Sequence, residues 1–301
     1  MQIIKPERIQ PGDCIGFITP SSPLTTNQTI YSATKYFTDK GYRIKIGNNV
    51  GKSDRFLAGT DEERAEDFMK FFKDPDIKAV IALRGGQGSQ RMLPYLDFNI
   101  IRSNPKYVVG FSDVSALQLG LFTKSGLVSL TGFSGSDTEE EDLGTLTEET
   151  LFACFNEKSY SVAGGITIKS GITEGQLLGG CLPMITTLIG TPYQPDFTNK
   201  ILIIEDVWNE PFQIDGMISQ LHLAGVFDKI SGLIFGQFEN CTPKHNPKRD
   251  GTVDDVIDDW SSKIKCPCLK NIPYGHIKNR CVLPIGGHVQ LNADKKIINI
   301  L

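Results

Sequence analysis

Four stretches of the chain put polar residues directly after apolar runs: 19–22 (TPSS) after "IGFI", 84–88 (RGGQG) after "AVIAL", Ser112-Asp113 after "VVGF", and Glu205-Asp206 after "ILII". Open α/β sheets carry their sites at the carboxyl ends of their strands, so these are the places to look for chemistry. Ser112 is the sharpest of them. In "YVVGFSDVSALQ" it stands where a buried strand turns into a helix. A serine there can cap the helix, and Asp113 in the first turn suits the helix dipole. It can also be a nucleophile, with the Asp113 N–H pointing the same way. The stretch is not the G-x-S-x-G elbow, because Val114 replaces the second glycine. On these residues alone, capping is the simpler role.

A serine nucleophile needs a base, and the base needs a group to orient it. Of the four histidines, His222 falls in an amphipathic helix, His245 in a polar loop and His288 in a strand pattern. His276, in the Pro/Gly-bounded turn "IPYGHIKN", is the best candidate base. Glu205 ends the most apolar strand of the second half, where a carboxylate is costly unless paired. An imidazolium or an arginine would serve equally as its partner. The turn "RGGQGSQ" completes neither the P-loop nor the G-x-G-x-x-G pattern, since Arg91 occupies the third glycine position. Its glycines allow backbone N–H groups to approach a ligand, as in an oxyanion hole, or simply a tight turn. Ser134 in "TGFSGSD" and Cys181 in "LLGGCLP" mimic nucleophiles. The first is followed by no clear helix, and the second opens an apolar helix as a packing residue.

The elements that must position these residues read as α/β. Helices alternate with strands that are apolar throughout ("IKAVIAL", "YVVGF"), the mark of a parallel sheet covered on both faces. Thr60 and Glu63 have capping-box spacing ahead of a helix with Ala65, Phe68, Met69 and Phe72 on one face. We expect an N-terminal α/β domain over 1–135 and a crossing over 136–175, where an acidic run precedes glycine-rich β-like segments. A second, mixed domain follows over 176–301. In it a glycine turn ("EGQLLGG") leads to a helix ending near Gly190, one amphipathic helix covers "FQIDGMISQLHLAGVFDKI", and a terminal hairpin turns at residues 292–294.

Composition narrows the classes. The 301 residues are 40% hydrophobic and 22% charged with a net charge of −4, which suits a sizeable core and argues against a nucleic-acid or membrane-surface binder. The N-terminus has no apolar leader and no stretch approaches a membrane span. Seven scattered cysteines show no paired framework, so we expect a reducing, cytoplasmic setting. Cys241 and His245 stand four apart in a loop but lack a second ligand pair, so no metal is expected.

Taken in order, "PGDCIGFITPSSP", "FLAGTDEERAEDFMKFFKDPDIKAVIALRGGQGSQRMLPYLDF", "NPKYVVGFSDVSAL", "GQLLGGCLPMITTLIGTP", "ILIIEDVWNEPFQIDGMISQL" and "IPYGHIKNRCVLPIG" resemble the LD-carboxypeptidase family of serine peptidases nearly end to end. The resemblance implies a Ser–His–Glu triad of Ser112, His276 and Glu205, with the N–H groups of Gly86 and Asp113 as oxyanion donors. It implies no cofactor, a small peptide substrate, a homodimer, and a site between an N-terminal domain carrying the serine and a C-terminal one carrying Glu and His. The implied reaction releases a terminal D-alanine from a cytosolic muropeptide tetrapeptide. The alternatives are a microcin-immunity-type peptidase and a non-catalytic α/β binding protein. Arg84 or Arg280 would hold the substrate carboxylate. Gln87 and Gln118 depart from the residues common in relatives and are expected to line the pocket.

Overall fold

The computed structural model describes residues 2–140, 143–247 and 249–301. Parts of the acidic run (141 and 142) and of the polar loop (248) lie outside them. The chain divides into two compact units, Met1–Lys158 with Val282–Gly286, and Ser159–Cys281 with Gly287–Leu301.

The first unit is a six-stranded sheet. Its strands are β1 (Cys14–Ile18), β2 (Arg43–Ile46), β3 (Ile77–Ala82), β4 (Tyr107–Gly110) and β5 (Ser129–Thr131), closed at one edge by β12 (Leu283–Ile285). The order is β12-β5-β4-β3-β1-β2. All neighbours are parallel except β12 and β5. Strands β1 and β4 are buried along their whole length, and β3 at every residue but Lys78, whereas the edge strand β2 is partly exposed. The helices between them are α1 (Gln28–Asp39), α2 (Asp61–Lys73), α3 (Phe98–Ser103), α4 (Val114–Ser125) and α5 (Thr145–Phe155). Helix α2 starts at the expected capping box: Glu63 N–H donates to Thr60 Oγ1 at 3.2 Å, and Thr60 N–H to Glu63 Oε2 at 2.9 Å. Phe68 and Phe72 on its inner face stack at 4.7 Å and are fully buried. Each such side chain contributes about 2–3 kcal/mol by leaving water.

The second unit is an eight-stranded mixed sheet. It contains β6 (Tyr160–Ala163), β7 (Ile166–Lys169), β8 (Ile172–Cys181), β9 (Ile201–Val207), β10 (Gly232–Glu239), β11 (Cys268–Lys270), β13 (His288–Asn292) and β14 (Ile297–Ile300). The order is β6-β14-β13-β8-β9-β10-β11-β7. Strands β8 to β11 form a parallel centre, and antiparallel strands flank it on both sides. The remaining helices are α6 (Leu182–Leu188), α7 (Pro211–Leu223), α8 (Val226–Lys229) and α9 (Val253–Ser261).

The stretch 136–175 holds helix α5 and strands β6 and β7. Two local expectations are corrected. "GQLLGG" is the end of strand β8, not a turn. A Cβ at Gly179 would stand 1.8 Å from the Ile203 carbonyl oxygen, so the glycine is there to let β8 lie against β9. The amphipathic segment after β9 is two helices, because Gly225 takes a left-handed φ of 72° and ends the first. The terminal hairpin pairs β13 with β14 as the sequence suggests. Among the described residues, no helix is long and apolar enough to cross a membrane.

Candidate active site

Ser112 lies at the corner between β4 and α4 with φ 62°, a left-handed conformation that costs an L residue about 1–2 kcal/mol. The helix N-cap position falls on Asp113, one residue later, and no side chain caps the helix there. This corner has the strained geometry of a nucleophile elbow without its second glycine. The tight turn brings Val114 over Gly110, where a Cβ would meet Val114 Cγ1 at 2.4 Å. One glycine at position 110 therefore relieves the crowding that the motif relieves with two.

The Asp113 carboxylate holds the corner to two loops. Oδ2 accepts from Ser21 Oγ at 2.6 Å and from Ser89 N–H at 2.8 Å, and Oδ1 accepts from Gly88 N–H at 3.0 Å. Ser89 Oγ returns a bond to the Asp113 carbonyl at 2.6 Å. Arg64, fully buried in α2, clamps the same two loops through the carbonyls of Pro20 and Gly88. Burial pulls its guanidinium below the usual arginine range. Sequence reasoning valued Asp113 for its N–H and for its charge at the helix start, not for these three bonds, and missed Arg64 altogether. The signal for Arg64 was present: it lies four residues before Phe68, on the apolar stripe of its helix. The backbone N–H groups of Gly86 and Asp113 have no hydrogen-bond partner among the described residues. Asp113→Asn puts an amide NH2 against at least one of three donors. It is expected to lower stability by about 1–3 kcal/mol and to lower turnover, both measurable by urea unfolding and steady-state kinetics.

In the second unit, Glu205 lies near the end of β9 with no exposed surface. Its Oε2 lies 2.7 Å from Nδ1 of His276, 71 residues further along the chain. Its partner is thus the loop histidine. An ionised Glu205 accepts from Nδ1–H and leaves Nε2 as the basic nitrogen. The close approach is built into the backbone. Gln237 N–H donates to the Tyr274 carbonyl at 2.7 Å, and a Cβ at Gly236 would sit 2.3 Å from that oxygen. Glycine at 236 therefore lets the 272–276 loop lie against β10, beside Glu205. The neighbouring Asp206 is also buried, and desolvation pushes its carboxyl up to about 6. It accepts from Asn209 Nδ2 at 3.1 and 2.9 Å and from Val207 N–H at 2.8 Å.

The other expected positions have these local partners. Arg84 is half-buried and donates to the Pro23 carbonyl at 2.8 Å, while Arg280 is buried and donates to the Ile277 carbonyl at 2.9 Å. Gln87 is exposed, with its N–H on Ser22 Oγ at 3.0 Å. Gln118 was expected to line a pocket, but it is fully buried and ties strand ends together through the Leu130 carbonyl at 2.6 Å. His245, in its polar loop, is exposed yet paired to Glu210 through Nδ1 at 2.6 Å. Ser134 starts a short 3-10 helix with Asp137 as its box partner. Among the described residues no group of His, Cys, Asp and Glu has the arrangement of a metal site.

A strained serine at a strand-to-helix corner and a buried carboxylate gripping a histidine are the parts of a serine-type peptidase. Comparison with known proteins agrees. The LD-carboxypeptidase N-terminal domain matches residues 15–132 and the LD-carboxypeptidase C-terminal domain residues 174–291. A probable murein peptide carboxypeptidase of Bacillus subtilis is 31% identical over 297 residues, covering 97% of this chain and 92% of its own. The microcin C7 self-immunity protein MccF of Escherichia coli is 28% identical over 96% of this chain and 93% of its own. The ligand-free MccF structure matches with a TM-score of 0.90 over 99% of this chain and 98% of that one. A muramoyltetrapeptide carboxypeptidase structure from Oxalobacter formigenes matches with a TM-score of 0.86 at 28% identity, over 95% of this chain and 97% of that one. The chain belongs to the LD-carboxypeptidase family.

Proposed function

We propose that the protein is a carboxypeptidase that hydrolyses the bond between an L-centre and a terminal D-alanine in a muropeptide tetrapeptide. The observation that carries the chemistry is the 2.7 Å contact between buried Glu205 and His276. Ser112 Oγ attacks the scissile carbonyl carbon while His276 Nε2 takes its proton. Glu205 holds Nδ1–H and stabilises the imidazolium that forms. The tetrahedral oxyanion receives the N–H groups of Gly86 and Asp113, and one such donor is worth about 3 kcal/mol. The intermediate collapses as His276 returns the proton to the departing D-alanine amine. Water then cleaves the acyl-enzyme by the same route. The left-handed φ of Ser112 and the two unpartnered N–H groups support these roles.

The substrate assignment is supported by relatives named for murein peptides and muramoyltetrapeptide. Its setting would be the cytosol, in peptidoglycan recycling, with a homodimer as the working species. Incubation with a tetrapeptide ending in D-alanine is expected to yield tripeptide and free D-alanine, while the L-alanine counterpart stays intact. No release at any enzyme level refutes the assignment. The likeness to MccF favours a second reading, cleavage of a peptidyl-nucleotide toxin, which the same assay separates when that substrate is supplied instead.

A further inference from the structure

Trp208 stands three residues beyond Glu205, just past the end of β9, with φ 65°. This is the left-handed region, unfavourable for a bulky side chain and free of strain for glycine. The indole is 66% exposed, although the backbone around it is held on every side. The backbone N–H of Trp208 donates to the Glu239 carbonyl at 3.1 Å, and the Trp208 carbonyl accepts from Lys244 Nζ at 2.9 Å. Asn209 is fastened to Asp206, and Glu210 receives Lys244 N–H at 2.6 Å and caps α7. Among the described residues the indole has no aromatic or cationic partner. A loop fastened by these bonds thus presents a bare aromatic face to solvent three residues beyond Glu205.

We infer that Trp208 is a specificity-determining platform for the sugar ring at the far end of a muropeptide; this rests on the muropeptide reading above. Reach agrees with it. Three residues of extended chain span at most about 11 Å, which bounds the distance from Glu205 to Trp208. In a tetrapeptide cut before its last residue, the sugar-bearing first residue lies a similar distance from the scissile bond. The C–H face of a pyranose is apolar and slightly positive, and it matches the negative face of an indole.

The test compares a tetrapeptide carrying its N-terminal muramyl sugar with the free tetrapeptide. Wild-type protein is expected to favour the sugar-bearing form in kcat/KM, mostly through KM. Trp208→Ala is expected to reduce that ratio about tenfold, the loss of one aromatic contact, and Trp208→Phe to restore part of it. An unchanged ratio overturns the inference. Binding gives a readout independent of turnover. The chain has two tryptophans, and Trp260 is buried with Nε1 on Asp215 at 2.8 Å. Ser112→Ala protein titrated with the sugar-bearing peptide is expected to show a fluorescence change that vanishes in Ser112→Ala/Trp208→Phe. A change that survives, or none at all, refutes the platform. Cleavage of neither peptide, with the fluorescence change present, refutes the reaction while leaving the platform standing.

Discussion

Ser112→Ala is expected to lower peptidase activity by about 10^5-fold or more while the protein stays folded. Alanine keeps the left-handed φ of 62° and its strain, so stability should stay within about 1 kcal/mol of wild type. Ser112→Gly should be equally inactive yet more stable by about 1 kcal/mol, because glycine takes that φ without a Cβ clash. The pair separates two roles for this residue. A serine that only caps its helix would cost stability in the alanine variant and leave activity in place in both. Turnover of folded Ser112→Ala protein within tenfold of wild type would remove Ser112 from the chemistry, as would labelling of that variant by a serine-reactive phosphonate at the wild-type rate.

Glu205→Gln should lower kcat by about 10^4-fold. The amide is nearly the same shape, so the effect is one of protons. Its NH2 group can donate to His276 Nδ1, which moves the ring proton to Nε2 and blocks the nitrogen that must accept from serine. Stability should not fall in step. Glu205 Oε1 is buried with no hydrogen-bond partner among the described residues, so the native carboxylate already bears a desolvation penalty. A neutral amide relieves it, and Tm is expected to hold or rise by a few degrees. His276→Ala should be as inactive as Glu205→Gln, and the double variant hardly worse than either, because the two act as one unit. Additive losses would argue that Glu205 serves the fold and His276 the chemistry, or the reverse. Thermal unfolding followed by circular dichroism, beside steady-state kinetics, reads both quantities.

Much of the framework was legible in the sequence because it depends on local patterning. Residues 77–83 and 107–109 read as buried strands from their unbroken apolar runs. Thr60 and Glu63 read as a capping box from spacing alone. The four polar positions after strands were found by asking only where apolar runs end, and the ordered motifs gave the family. Reading failed where glycine served packing instead of turning. The glycines of "GQLLGG" bring β8 against β9, and no local rule separates that from a loop. It failed again at Gln118, whose amide satisfies a strand carbonyl that no sequence pattern reveals.

The sequence by itself determined which residues could do chemistry and on which elements they stand, because side-chain type, strand ends and helix starts are local properties. Only the tertiary structure decided which of them are held ready. The Asp113 carboxylate grips Ser21, 92 residues earlier, and the turn at Gly88 and Ser89. Arg64 reaches the same two loops from inside a helix. His276 rather than an arginine answers Glu205. Each contact joins groups distant in sequence, and each exists because a buried charge must find its partner wherever the packed backbone brings one within 3 Å.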